Sequence, residues 1–220
     1  MNSKTALCVG AHPDDGVLGM AGLAALLRSS GWTLHFLTLT CGELCGDPEK
    51  RQAEERSAAA ELGASARFGL LPDGSFTRHA AIKVIESALK EITPTLVFVN
   101  SPSDTHQDHI AASAAVQSLC WRKINLLFYE GPSTRHFQPN LVVNISSVWE
   151  EKERAIRCHN SQVERGNLLD WAHATSVYRS WPRYAGGRCE AFQVYQLDSE
   201  LVFGFSPSEF NGPPAEVANA

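Results

Sequence analysis

The chain has 220 residues, 44% hydrophobic and 20% charged, with 19 Lys and Arg against 24 Asp and Glu and a formal net charge of −5. These values fit one globular domain and exclude a disordered, collagenous or coiled-coil chain; the acid excess also speaks against nucleic acid as the main partner, since phosphate binding needs a basic face. No apolar run reaches the ~18 residues of a membrane span, and Met1 to Val9 is too short an apolar start for a signal peptide, so a cytoplasmic protein with no membrane partner is expected.

Thr5 to Val9 is a short apolar run that stops at Gly10 and reads as a buried strand. Val17 to Leu27 reads as a helix apolar nearly all round, with Gly19 and Gly22 allowing close packing. Thr33 to Leu39 reads as a second strand and Pro48 to Leu62 as a second helix, closed by Gly63. A third strand is expected over Ala66 to Leu71. His79 to Lys90 follows as a helix with Ile82, Ile85 and Leu89 at helical spacing. Leu96 to Val99 is a buried strand, Gln107 to Trp121 a helix and Asn125 to Tyr129 a strand. Residues 163–188 carry Trp171, His173, Tyr178, Trp181 and Tyr184 with little periodicity. They read as a long stretch that either rims a pocket or packs as a satellite under a loop. The six scattered cysteines read as free thiols. Residues 206–220 hold three prolines among small and polar residues and read as a frayed tail, leaving a single domain over 1–205.

Strand and helix alternate along the chain. That order predicts an α/β fold, a Rossmann-like three-layer sandwich with a mostly parallel central sheet. Ligands of such sheets bind beyond the carboxyl ends of the strands, where the strand order reverses. Two polar clusters fall at such ends. The first is His12-Pro13-Asp14-Asp15, after the first strand. A tight turn can aim His12 and Asp15 at one point, as metal ligation requires, while Asp14 points elsewhere. Capping of the helix that begins near Val17 is the other reading of the two aspartates. The second cluster is His106-Gln107-Asp108-His109, which opens a helix after the strand ending at Val99. His109 is placed to be a third ligand. Two histidines and a carboxylate with open positions describe a hydrolytic zinc site, and equally a non-haem iron site.

AHPDD followed by VLG, and H-Q-D-H opening a helix after an apolar strand, resemble the PIG-L/LmbE-type zinc deacetylases. Arg51-x-x-Glu54-x-x-x-Ala58-x-x-x-Leu62-Gly63, Lys152 to Gln162 and Glu190-Ala191-Phe192 resemble later segments of that family in the right order. The resemblance spans about residues 4–195. It implies removal of an N-acetyl group from an amino sugar such as an N-acetylglucosamine moiety. It implies Zn2+ (or another divalent metal such as Fe2+) on His12, Asp15 and His109. Asp14 resembles the general base, His106 the imidazolium that holds the oxyanion or protonates the amine, Asp108 the carboxylate that orients it, and Arg51 a substrate contact. The partner implied is a small-molecule N-acetyl amino sugar or glycoconjugate, and the family's habit of assembling leaves room for a homo-oligomer. One departure stands out: Gly16 occupies the position where the family often has Glu.

Two rival readings keep the metal site, as an amidase of thiol-sugar conjugates or as a deacetylase that tailors natural products. A third is a sugar-binding relative without turnover. A nucleotide-binding domain would need G-x-G-x-x-G after the first strand, and the chain has Gly10-Ala11-His12-Pro13-Asp14-Asp15 there. Arg51 could equally pair with Glu54 or Glu55 on its helix, and His159 could reach the site or simply end a helix.

Overall fold

The computed structural model describes residues 4–120 and 124–197, with the backbone of Phe210–Asn211. Eight strands form one sheet in the order β3-β2-β1-β4-β5-β7-β6-β8. The strands β1 (Thr5–Gly10), β2 (Thr33–Thr38), β3 (Ser65–Phe68), β4 (Leu96–Asn100) and β5 (Asn125–Tyr129) run parallel. The strands β6 (Leu141–Asn144), β7 (Cys189–Gln196) and β8 (Phe210–Asn211) complete it with antiparallel pairings. The α/β sandwich expected from the strand–helix alternation is therefore present.

Alternation along β1 shows why two helical layers form. Ala6 and Cys8 face one core, with Phe36, Phe98, Leu127 and Tyr129. Leu7 and Val9 face the other, with Leu37, Val97 and Val99. A strand covered on both faces must be apolar at every position, and all six residues of β1 are buried. The first core is closed by α1 (Asp15–Ser29), α2 (Pro48–Glu61), α5 (Trp149–Cys158) and α7 (Leu168–Ser180). The second is closed by α3 (Arg78–Ile92) and α4 (Gln107–Cys120). The short α6 (Asn160–Val163) joins α5 to α7.

Two expectations change. The third strand ends at Phe68, not Leu71, because Leu70 adopts φ 54° and breaks the extended run. Residues 163–188 are not an irregular rim, since α7 occupies half of them. Its buried stripe is Ala172, Ser176 and Ser180, spaced four apart. Small and polar residues on a buried face produce no apolar periodicity, which is why the helix was not legible. Trp121 and the expected tail from 206 lie outside the described residues, apart from the two-residue β8. Among the described residues no helix is long and apolar enough to cross a membrane.

Candidate active site

β1 and β4 are neighbours, but the helices that follow them pack on opposite faces of the sheet. The order reverses there, so a crevice opens beyond their carboxyl ends. A cleft of about 490 Å³ lies at that place, lined by His12, Asp14, Arg51, Asp73, His106 and Gln107, with Leu44, Cys45 and Gln162 at its wall. Both sequence clusters meet in it.

His12 Nδ1 lies 3.2 Å from His109 Nε2 and 3.6 Å from an Asp15 oxygen, and His109 Nε2 lies 3.3 Å from the other Asp15 oxygen. Three ligand atoms around a tetrahedral zinc at 2.0–2.1 Å would stand roughly 3.3–3.4 Å apart. The triangle fits that spacing. The outward nitrogens fit as well, because ligating imidazoles usually give their second nitrogen to a carboxylate. His12 Nε2 is 3.0 Å from Asp73 and 3.3 Å from Asp108, and His109 Nδ1 is 3.2 Å from Asp104. Overlapping donor sets, His12–His106–His109 and His12–Asp73–Asp108, also converge here.

The electrostatics suit a cation. Burial lowers the proton affinity of His12, yet Asp108, Asp15 and Asp73 outweigh it and push its pKa up to about 12. His109 is likewise raised to about 10, burial being outweighed by Asp15 and Asp104. Burial opposes ionisation of Asp15, but His109 and His12 hold its carboxyl well below the usual range. So many carboxylates around two imidazoles bind protons tightly, and a divalent ion can take the protons' place.

Asp14 is not a helix cap. It precedes α1 in a left-handed conformation, φ 100°, and its side chain makes no capping hydrogen bond. Asp15 accepts instead from the His12 backbone N–H at 2.9 Å. The Asp14 carboxylate takes a hydrogen bond from Arg51 Nη2 at 3.0 Å and lines the cleft. Burial, then Asp15, raise its pKa to about 7 against the pull of Arg51. A cation bound nearby would lower it again.

Arg51 is buried and also donates to the carbonyls of Pro13 and Gly42. It braces the turn rather than pairing with Glu54 or Glu55. His106 lines the cleft, and its Nδ1 accepts the Asp108 N–H at 3.2 Å. The Asp108 carboxylate does not orient His106 through a hydrogen bond; it accepts from the Gly74 N–H and reaches His12. Burial and the neighbouring His12 and His109 hold His106 below the ordinary imidazole range. His159 closes α5 and is fully buried behind the turn, with Nε2 3.4 Å from Glu55. Burial and Arg51 lower its pKa to about 3. Trp171, His173, Tyr178, Trp181 and Tyr184 are not among the residues lining the cleft.

Sequence reasoning missed Asp73, Asp104 and Glu55. Asp73 had a usable signal: Pro72-Asp73-Gly74 is a turn just beyond β3, at the same edge of the sheet. Asp104 stands two residues before His106. Glu55 sits on a helix rich in Glu and had none.

The mostly parallel sheet and the acidic, histidine-rich cleft at its switch point define an α/β protein with a group of residues that could hold a metal ion. Within it, residues 7–120 match the PIG-L family model, GlcNAc-PI de-N-acetylase, and the chain belongs to that family. Diacetylchitobiose deacetylase of Thermococcus kodakarensis is 28% identical, over 72% of this chain and 70% of its own length. The conserved protein TT1542 of Thermus thermophilus superposes with a TM-score of 0.78 at 29% identity, covering 87% of this chain and 94% of that one. GalB, the 4-carboxy-2-hydroxymuconate hydratase of Pseudomonas putida, shares the fold with a TM-score of 0.75 at 21% identity, covering 89% and 97%. One fold thus serves different reactions, so the reaction has to be argued from the site.

Proposed function

We propose that this chain is a metal-dependent hydrolase that removes an N-acetyl group from an amino-sugar-containing small molecule. The observation that carries the reading is the triangle of His12 Nδ1, His109 Nε2 and the Asp15 carboxylate, beside a second carboxylate at Asp14 that faces the cleft. Family membership and the deacetylase named among its relatives support it.

His12, Asp15 and His109 would hold the ion. A zinc ion in such a place lowers the pKa of water from 15.7 to about 7 and polarises a carbonyl oxygen; Fe2+ is compatible with the same donors. Asp14 takes the proton from the attacking water, on a carboxylate kept in place by Arg51. His106, on the cleft wall, donates to the oxyanion as the carbonyl carbon becomes tetrahedral. Asp14 or His106 then returns a proton to the departing nitrogen, leaving acetate and a free amine. Asp108 and Asp73 hold His12 in the tautomer that leaves Nδ1 free. Arg51 spends both terminal nitrogens on protein oxygens, so its part in this site is to hold Asp14.

The test is acetate release from N-acetylglucosamine and N,N′-diacetylchitobiose, with metal content measured on the same samples. Asp14→Asn should keep its metal and lose about 10²–10⁴-fold in kcat, the range for a general base. His12→Ala should lose the metal. Full turnover by Asp14→Asn removes the base from the scheme. Wild type that takes up no divalent metal under any reconstitution removes the scheme itself.

A further inference from the structure

Asp14 holds an unusual backbone. At φ 100° it lies in the left-handed region, which a non-glycine residue occupies only where its surroundings over-determine it. Arg51 supplies one restraint, bonding the Asp14 carboxylate at 3.0 Å and the Pro13 carbonyl at 2.7 Å. The other reaches the backbone. The Asp14 N–H donates to Glu55 Oε2 at 3.1 Å. Glu55 sits on α2 and is 2% exposed. Its second oxygen accepts from the Thr38 hydroxyl at 3.1 Å, at the end of β2. One carboxylate therefore fastens the turn after β1 to β2 and to α2.

No side chain at position 16 could do this from within the turn. A Cβ on Gly16 would stand 2.6 Å from Cys8 Sγ and 2.9 Å from Phe36 Cε1. The space there is filled by the core, and the carboxylate arrives from another element. We infer that Glu55 is a positioning residue for Asp14: its buried carboxylate holds the Asp14 N–H and so keeps the left-handed turn that aims the Asp14 carboxylate into the cleft. The inference rests on the reading of Asp14 as the base.

A residue that merely stabilised the fold would lower thermal stability and leave turnover per bound metal unchanged. Glu55→Ala should instead lower kcat by about 10–100-fold, the loss expected from a misplaced catalytic group, with metal content and KM little changed. Glu55→Gln keeps one acceptor for the Asp14 N–H, and its amide can donate to Thr38 Oγ1. It should retain kcat within about threefold, a difference of under about 0.7 kcal/mol. A crystal structure of Glu55→Ala should show Asp14 out of the left-handed region and its hydrogen bond to Arg51 broken.

Wild-type kcat in Glu55→Ala beside an inactive Asp14→Asn overturns the positioning role and leaves the base standing. Full turnover by Asp14→Asn overturns the base and, with it, the positioning role. Should neither sugar be turned over, the crystal structure decides: φ still near 100° with the 3.0 Å Arg51 pair intact overturns the inference. If Glu55→Ala does not fold, Glu55→Gln carries the test, and a loss as deep as that of Asp14→Asn refutes a hydrogen-bonding role.

Discussion

Asp73 spends both of its oxygens, one on His12 Nε2 at 3.0 Å and the other on the Leu44 N–H at 3.0 Å. It ties a proposed metal ligand to the wall of the cleft. Outer carboxylates of this kind typically account for 10–100-fold in metal affinity. Asp73→Asn should therefore weaken metal binding by about one to two orders of magnitude; competition against a chelator would show it, and an unchanged Kd would rule the role out. The residues that were legible, His12, Asp14, Asp15, His106, Asp108 and His109, share a simple property. They fall in two tight clusters that follow apolar strands, so the strands announce them. Asp73, Asp104 and Glu55 are single carboxylates among 24 acidic residues, and only folding makes them neighbours of the site.

Among the elements, α1 shows how far a local pattern can be read. It is apolar nearly all round, and every residue from Asp15 to Leu27 is buried. Its glycines are there for close approach. A Cβ at Gly19 would stand 2.2 Å from Tyr129 Cδ2, and one at Gly22 would stand 2.7 Å from Ile145 Cγ2. Tyr129 has no room to retreat, because it is fully buried and its hydroxyl donates to the Val9 carbonyl at 2.9 Å. Gly19→Ala should cost about 1–3 kcal/mol through overpacking, despite the better helix propensity of alanine; a denaturant midpoint at or above wild type would contradict this. The opposite case is α7. Its buried face of Ala172, Ser176 and Ser180 has nothing in its composition that marks it as buried.

Across the whole molecule, one buried ion pair joins segments far apart in sequence. Lys152 Nζ lies 2.7 Å from Glu190, and both are buried. Lys152 also donates to the Leu18 carbonyl, while Glu190 accepts the backbone N–H groups of Gly22 and Leu23. The pair thereby inserts into the middle of α1 from α5 and β7. Such pairs add little net stability when compared with apolar replacements, but removing one partner leaves an uncompensated buried charge. Lys152→Met should cost about 3–5 kcal/mol on that basis. Chemical denaturation measures it, and a loss below that of a surface lysine variant would show that Glu190 finds another partner or a proton.

By itself the sequence determined the layer architecture and marked the two clusters that meet at the candidate site, because both depend on short-range order. A buried strand has to be apolar, and a site residue at its end has to follow it closely. Tertiary structure alone decided that Asp14 serves the cleft instead of capping a helix, that Arg51 points inward, and that Asp108 reaches His12. Those outcomes depend on partners distant in sequence, 37 positions for Asp14 with Arg51 and 96 for Asp108 with His12. At such separations a difference of one hydrogen bond selects the partner, and no local pattern records the choice.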